Sequence, residues 1–183
     1  MAVPFFRTVC SPELMALLDA REERAWIQRK FLDAAAPPQC VVQISLNVPG
    51  LPKRINGDSA ATAEARGIFL SALGAAPSFE VSLSNCAGIA HLIVFSVIDA
   101  RRVKKAAMLV EEGSEAGRAL DIDVITSQGQ ISRSDLGMAA RKCVICGEDA
   151  KTCTRLRNHT VCETRDVMRR LLSRFQWARR DSG

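Results

Sequence analysis

The sequence predicts an α+β fold: a mostly antiparallel sheet with helices packed on it, followed by a small Cys-rich segment and a basic C-terminal helix. Three observations carry that expectation. Apolar periodicity runs helix, strand, helix, strand, strand, helix, strand, strand, helix, and strands that follow one another directly pair antiparallel. From residue 137 to 159 neither period persists, and three of the seven cysteines gather there. The charge then turns: residues 1–140 carry 14 Lys/Arg against 15 Asp/Glu, whereas 141–183 carry 11 against 5. The expected organisation is an α+β unit over 1–136 with 137–183 packed on the same body.

Each element has a local reason. Ser11-Pro12-Glu13 opens a helix, with Ser11 as N-cap, proline at the first helical position and an acidic residue in the first turn. Leu14, Leu17, Leu18, Ala25 and Phe31 supply its apolar stripe until Pro37-Pro38 stops it. Residues 40–48 alternate as a strand with Gln43, Ser45 and Asn47 on one face, and Pro49-Gly50 closes it. A loop with Lys53 and Arg54 leads to a helix over about 59–73, then strands near 79–83 and 89–98 and a helix over 100–112. Residues 120–126 read as the next strand, and Ser127-Gln128-Gly129-Gln130 turns into a short partner near Ile131. Helical period returns over 161–179, with Val167, Leu171 and Phe175 on one side and Met168 and Leu172 beside them.

Composition narrows the class. Hydrophobic residues at 48% and charged residues at 25% are ordinary for a globular chain, so disorder and low complexity are excluded. The longest apolar run, 88–98, is interrupted by His91 and Ser96 and falls short of the roughly 20 residues that span a bilayer. No transmembrane helix and no membrane partner are expected. No secretory leader is readable at the amino terminus, and seven cysteines cannot all pair within one chain, so a cytoplasmic setting is expected. The prevalence of arginine over lysine, 19 to 6, suits phosphate or carboxylate contact, and an arginine-rich genomic composition gives the same bias.

The segment from Gly117-Arg118 to Asp121-Ile122-Asp123-Val124 is the most informative. On a strand, Asp121 and Asp123 project side by side while Leu120, Ile122 and Val124 enter the core. Two carboxylates so placed repel. Either they are solvated residues of a half-exposed strand, or a divalent cation such as Mg²⁺ joins them beside substrate phosphates. Arg118 and Gly117 are candidates to hold and admit an anion, as is Lys53 in its proline-bounded loop, and each also reads as an ordinary turn or surface residue. Cys143-x2-Cys146-x6-Cys153-x5-His159 offers four soft donors suited to tetrahedral zinc, against the alternative of reduced, partly buried thiols. Cys10, Cys40 and Cys86 read as core or surface thiols, and His91 as a satisfied strand histidine. No Gly-x-Ser-x-Gly or Walker pattern is present.

Taken in order, these segments resemble the citrate lyase holo-acyl-carrier-protein synthases, the apo-citrate lyase phosphoribosyl-dephospho-CoA transferases. The resemblance rests on Ser11-Pro12-Glu13-Leu14 with Arg21-Glu22-Glu23-Arg24, Asn47-Val48-Pro49-Gly50 followed by Lys53, the Gly-Arg-x-x-Asp-Ile-Asp-Val element, Ser132-Arg133, and the block from Arg141 to His159. It implies a nucleotidyltransferase that moves the phosphoribosyl-dephospho-CoA group from triphosphoribosyl-dephospho-CoA to a serine of the citrate lyase acyl carrier protein, releasing pyrophosphate. It further implies Mg²⁺ on Asp121 and Asp123, with Arg118 among the catalytic residues and Lys53, Gly117, Arg24 and Arg133 toward the substrate. Where the family often carries a histidine before Gly-Arg, this chain reads Glu112-Gly113-Ser114.

Arg165, Arg169, Arg170, Arg174, Arg179 and Arg180 offer a surface for an acidic carrier. A competing class is a zinc-stabilised nucleic-acid-binding module without catalysis. It is weakened because no aromatic interleaves the basic residues of the tail before Phe175 and Trp177, so nucleic acid is not the expected partner.

Overall fold

The computed structural model describes residues 11–33 and 40–175. Its elements are α1 (Pro12–Asp33), β1 (Cys40–Leu46), α2 (Asp58–Leu73), β2 (Phe79–Asn85), β3 (Gly88–Phe95), α3 (Ala100–Glu112), β4 (Leu120–Thr126), β5 (Gly129–Gln130), α4 (Ala150–Leu156) and α5 (Val161–Phe175), with 3-10 turns at Ala116–Ala119 and Ser134–Leu136. Cys10, the stop expected at Pro37-Pro38, and Trp177, Arg179 and Arg180 lie outside the described residues. The fold is α+β, and the five strands form one antiparallel sheet in the order β2-β3-β1-β4-β5.

The pleat sorts side chains into two environments. Val42 and Ile44 of β1, Ile93 of β3, and Ile122 and Val124 of β4 face the main core, where Phe69 of α2, Val103 of α3 and Met168 of α5 meet them. On the other face Val41, Leu92 and Val94 pack with Ile27, Phe31 and Leu32 of α1. Further along that second face the apolar cover ends. Register there sets Ser45 opposite Asp121 and Gln43 opposite Asp123.

α1 departs from the expected stripe. Leu17 and Ala20 are buried, whereas Leu14 and Leu18 are exposed. The reason is what the helix covers: its turns over the polar half of the sheet carry Arg21, Arg24 and Gln28 inward, so a hydrophobic period does not describe its packing face. Ser11 caps it as expected, its hydroxyl accepting from the Leu14 amide at 3.3 Å. α3 matches its expected bounds, and Asp99 caps it by accepting from the amides of Arg101 and Arg102.

The stretch 137–159, expected to be irregular, contains α4. Asp149 caps this short helix, accepting from the Thr152 amide at 2.7 Å. A helix of 7 residues is too short to show a period.

β4 has an outer edge that β5 covers only at Ile125 and Thr126. The Ile131 amide donates to the Val124 carbonyl at 2.8 Å, and side chains complete the edge before it. Ile122 donates its amide to Glu111 Oε1 at 2.9 Å and accepts from Lys104 Nζ at 2.9 Å, while Leu120 accepts from Arg141 at 2.7 Å. The 3-10 turn before β4 packs tightly on α3, so that a Cβ at Gly117 would fall on the carbonyl oxygen of Val110. Gly117→Ala is therefore expected to destabilise the fold by about 1–3 kcal/mol, the usual range for overpacking, measured by denaturant titration. A variant as stable as the parent would show that the turn moves away freely.

Candidate functional site

A cavity of about 340 Å³ lies between α1 and the polar half of the sheet. Its floor is Gln43 and Ser45 of β1 beside Asp121 and Asp123 of β4, because positions two apart on paired strands share a face. Arg21, Arg24 and Gln28 form the roof, spaced so that they fall on one side of α1. Lys53 closes one end from the loop after β1, and Gln130 of β5 the other.

Hydrogen bonds hold this frame. Gln28 Nε2 donates to Gln43 Oε1 at 2.8 Å, tying roof to floor. Gln130 donates to Asp123 Oδ1. Lys53 donates to the Val48 carbonyl at 2.6 Å, and Arg165 of α5 donates to the carbonyls of Pro49 and Pro52 at 3.0 and 2.8 Å. In the same loop Gly50 has φ +62°, and a Cβ there would lie 2.6 Å from Val161 Cγ1.

The electrostatics divide the cavity in two. Burial pushes the Asp123 carboxyl up to about 6, and the neighbouring Asp121 pushes it the same way. Asp121 is also raised by burial, opposed by Arg141, whose Nη1 lies 3.9 Å from Asp121 Oδ1. Across from them burial lowers Arg24, with Arg21 adding to the effect, and burial with Arg21 and Arg165 lowers Lys53. Arg24 gives one hydrogen bond, to the Ala87 carbonyl at 3.4 Å, and its buried Nε has no partner among the described residues. One side of the cavity thus favours a cation and the other an anion.

Of the residues singled out in the sequence, Asp121, Asp123, Arg24 and Lys53 come together here. Three others stand elsewhere. Arg118 points to the cysteine segment, donating to the Lys142 and Cys143 carbonyls at 3.3 and 2.8 Å. Gly117 packs on α3 and donates its amide to Ser114 Oγ at 2.9 Å, so Ser114 caps the turn. Arg133 pairs with Glu111 at 2.7 Å and with Glu112.

Sequence reasoning did not assign Arg21, Gln28, Gln43, Gln130 or Arg141 to the site. The i, i+3, i+7 spacing of Arg21, Arg24 and Gln28 was the available signal for the roof. His91 lies on the core face, its Nδ1 2.7 Å from Ser82 Oγ and its buried Nε2 without a partner among the described residues.

Cys143, Cys146, Cys153 and His159 form a group able to hold a metal, each offering a donor atom within 4.8 Å of the others. A turn brings Cys143 and Cys146 together, α4 supplies Cys153, and the chain entering α5 supplies His159. Cys146 Sγ is 3.4 Å from Cys153 Sγ and 3.3 Å from His159 Nε2.

Three cations of α5 have partners in the fold, Arg165 with the loop, Arg169 with Asp166 and Arg174 with Glu115, the last two as exposed pairs. Among the described residues no helix is long and apolar enough to cross a membrane.

An α+β sheet that sets a carboxylate pair against half-buried cations in one cavity defines a class by its chemistry, with room for a cation on one side and an anion on the other. The particular family follows from comparison. The family model described as apo-citrate lyase phosphoribosyl-dephospho-CoA transferase matches residues 12–175, and the chain belongs to that family. A Streptococcus pyogenes serotype M5 (strain Manfredo) protein named "Probable apo-citrate lyase phosphoribosyl-dephospho-CoA transferase" is 32% identical over 174 residues, covering 90% of this chain and 88% of that one. The Escherichia coli O7:K1 (strain IAI39 / ExPEC) protein named apo-citrate lyase phosphoribosyl-dephospho-CoA transferase is 30% identical over 178 residues, covering 90% and 89%. "Protein CitXG" of Leuconostoc mesenteroides subsp. cremoris is 32% identical over 172 residues; the match covers 89% of this chain and 35% of that longer protein.

The raised Asp123 carboxyl makes a stability prediction. Its folded value, about 6, lies above the ordinary 3.8, so ionised Asp123 costs stability above pH 6 and that cost vanishes below pH 4. Asparagine keeps the shape and carries no charge. Without added divalent cation, Asp123→Asn should melt like the parent near pH 4 and increasingly above it as the pH rises to 7. A melting gap that does not vary with pH would show that Asp123 is solvated.

Proposed function

We propose that this protein transfers the phosphoribosyl-dephospho-CoA group from its triphosphate precursor to a serine hydroxyl on the acyl carrier subunit of apo-citrate lyase, releasing pyrophosphate. The observation that carries the reading is the divided cavity, with Asp121 and Asp123 facing Arg21, Arg24 and Lys53, in a chain of that family. The donor set suits Mg²⁺: two carboxylates on one sheet face, both held above their ordinary values by burial. Asp121 and Asp123 would hold the ion, which when bound neutralises charge on the transferring phosphate and the leaving pyrophosphate.

The remaining work falls to the chain. Arg21, Arg24 and Lys53 bind the triphosphate, and the desolvation that disfavours the charges of Arg24 and Lys53 alone strengthens their hold on an anion. Gln130 fixes one oxygen of Asp123, and the Gln28–Gln43 bond holds the roof at a set height over the floor. The acceptor serine oxygen forms a bond to phosphorus as the bond to pyrophosphate breaks, and the hydroxyl proton leaves to water. No nucleophile of the enzyme is required. A soluble nucleotide donor and free thiols suit the cytoplasm.

The cysteine group suits zinc, since three sulfurs and an imidazole nitrogen are the soft donors that a structural tetrahedral site uses. Only Cys143 and Cys153 are buried between 137 and 159, so bound metal would supply folding energy that side-chain burial does not.

Two outcomes are expected. Apo-carrier incubated with donor and Mg²⁺ gains the mass of the prosthetic group, and Asp121→Asn or Asp123→Asn lowers the rate by about 100-fold or more with an unchanged circular dichroism spectrum. Near-normal transfer by both variants would sink the catalytic reading of the pair. The purified chain should also contain about one zinc per molecule by elemental analysis. Cys146→Ser should lose it, and a metal-free parent with unaltered melting would refute the structural role.

A further inference from the structure

Two arginines join the cysteine segment to the start of the aspartate strand in opposite directions. Arg118, just before β4, donates to the carbonyls of Lys142 and Cys143. Arg141, just before Cys143, donates to the carbonyls of Arg118 and Leu120, each at 2.7 Å. The Arg141 guanidinium also lies 3.6 Å from Glu111 and 3.9 Å from Asp121. It therefore touches the backbone that begins β4 and the first carboxylate that β4 presents.

The place of Arg141 is set from the cysteine side. Its carbonyl accepts from the Ala150 amide at 2.9 Å, and Lys142 bridges to Asp149 in antiparallel fashion. Cys143 donates its amide to Glu148 at 2.6 Å and accepts at its carbonyl from Gly147 at 3.2 Å. These bonds belong to the turn that carries Cys143 and Cys146 and to the entry into α4, which carries Cys153.

The three side chains that complete the outer edge of β4 differ in what holds them. Lys104 and Glu111 stand on α3, a helix packed into the main core. Arg141 stands on a segment with few buried side chains of its own.

We infer that Arg141 is a positioning residue for the aspartate pair, and that a metal held by Cys143, Cys146, Cys153 and His159 acts on the cavity through it. With the group loaded, the segment is rigid and Arg141 pins Leu120 and Asp121. With the metal gone, the turn loosens, the guanidinium withdraws, and the start of β4 frays where Asp121 must meet its cation. The functional consequence rests on the transfer reading given above; the linkage itself does not.

The test compares the parent, Arg141→Gln and Arg141→Lys, each as the full chain with zinc and after stripping by chelator. The first readout is hydrogen exchange of the β4 amides, with β3 as the internal reference. Stripping should speed exchange in the first half of β4 about tenfold in the parent, a local opening that leaves β3 protected. Arg141→Gln should exchange at the faster rate already and gain nothing more on stripping, while Arg141→Lys falls between.

The second readout is transfer to the carrier. Stripping or Arg141→Gln should each lower kcat about ten- to hundredfold with an unchanged donor KM, and the two together should cost no more than either alone.

Additive losses in exchange would overturn the proposal, since metal and arginine would then act separately. So would a chain that binds no zinc, or β3 exchange that speeds as much as β4 on stripping. Non-additive exchange in a parent that transfers nothing would support the linkage and remove the transfer reading alone.

Discussion

The buried carboxylate of Glu111 is the constraint around which the site is arranged. It is only 4% exposed and carries a charge that must be matched. It accepts from the Ile122 amide and pairs with Arg133 and Arg141. Removing the partners of such a group costs about 3–5 kcal/mol, more than most surface ion pairs together contribute. The demand has a structural result. Before the reach of β5 the outer edge of β4 is completed by charged side chains, which hold the strand from that side while its polar face opens into the cavity under α1. Asp121 and Asp123 owe their position to this arrangement.

On that polar face the protein keeps an electrostatic arrangement that opposes its own stability. Burial raises both carboxylates, with Glu111 adding to it at Asp121 and Asp121 at Asp123, and across from them two cations are lowered by burial and by other cations. Neither side neutralises the other. The cations stand on the roof and the loop, the anions on the floor, and the Gln28–Gln43 bond between α1 and β1 ties roof to floor. A polyanion with its divalent cation would relieve both sides at once, which is how a site binds a charged ligand tightly without a deep apolar pocket.

The carboxyl-terminal part of the chain contributes to this site from two directions. α5 buries Met168, Leu171, Leu172 and Phe175 in the main core and sends Arg165 to the loop that carries Lys53. The cysteine segment sends Arg141 to β4. Two of the arginines in this basic part of the chain, Arg141 and Arg165, are thus used on backbone carbonyls that frame the site.

Period and caps are local properties, and wherever they decided the outcome the sequence was enough. Alternation bounded β4 at 120–126, Ser11 with Pro12 and Glu13 started α1, and two-residue spacing put Asp121 and Asp123 on one face, because side-chain direction along a strand depends only on the backbone. The cysteine and histidine spacing likewise named the four donors that meet. What the sequence could not decide was which separate segments share a space. Arg118 and Arg141 are both arginines beside the key motifs, yet one turns to the cysteine segment and the other to Asp121. The sequence put Gln43, Ser45 and Asn47 on one face of β1 but not what that face meets, which the sheet order decided by placing β1 beside β4 with α1 above both. Those placements follow from strand order, register and helix docking, which are settled by contacts between residues far apart in the chain and leave no periodic trace within any one segment.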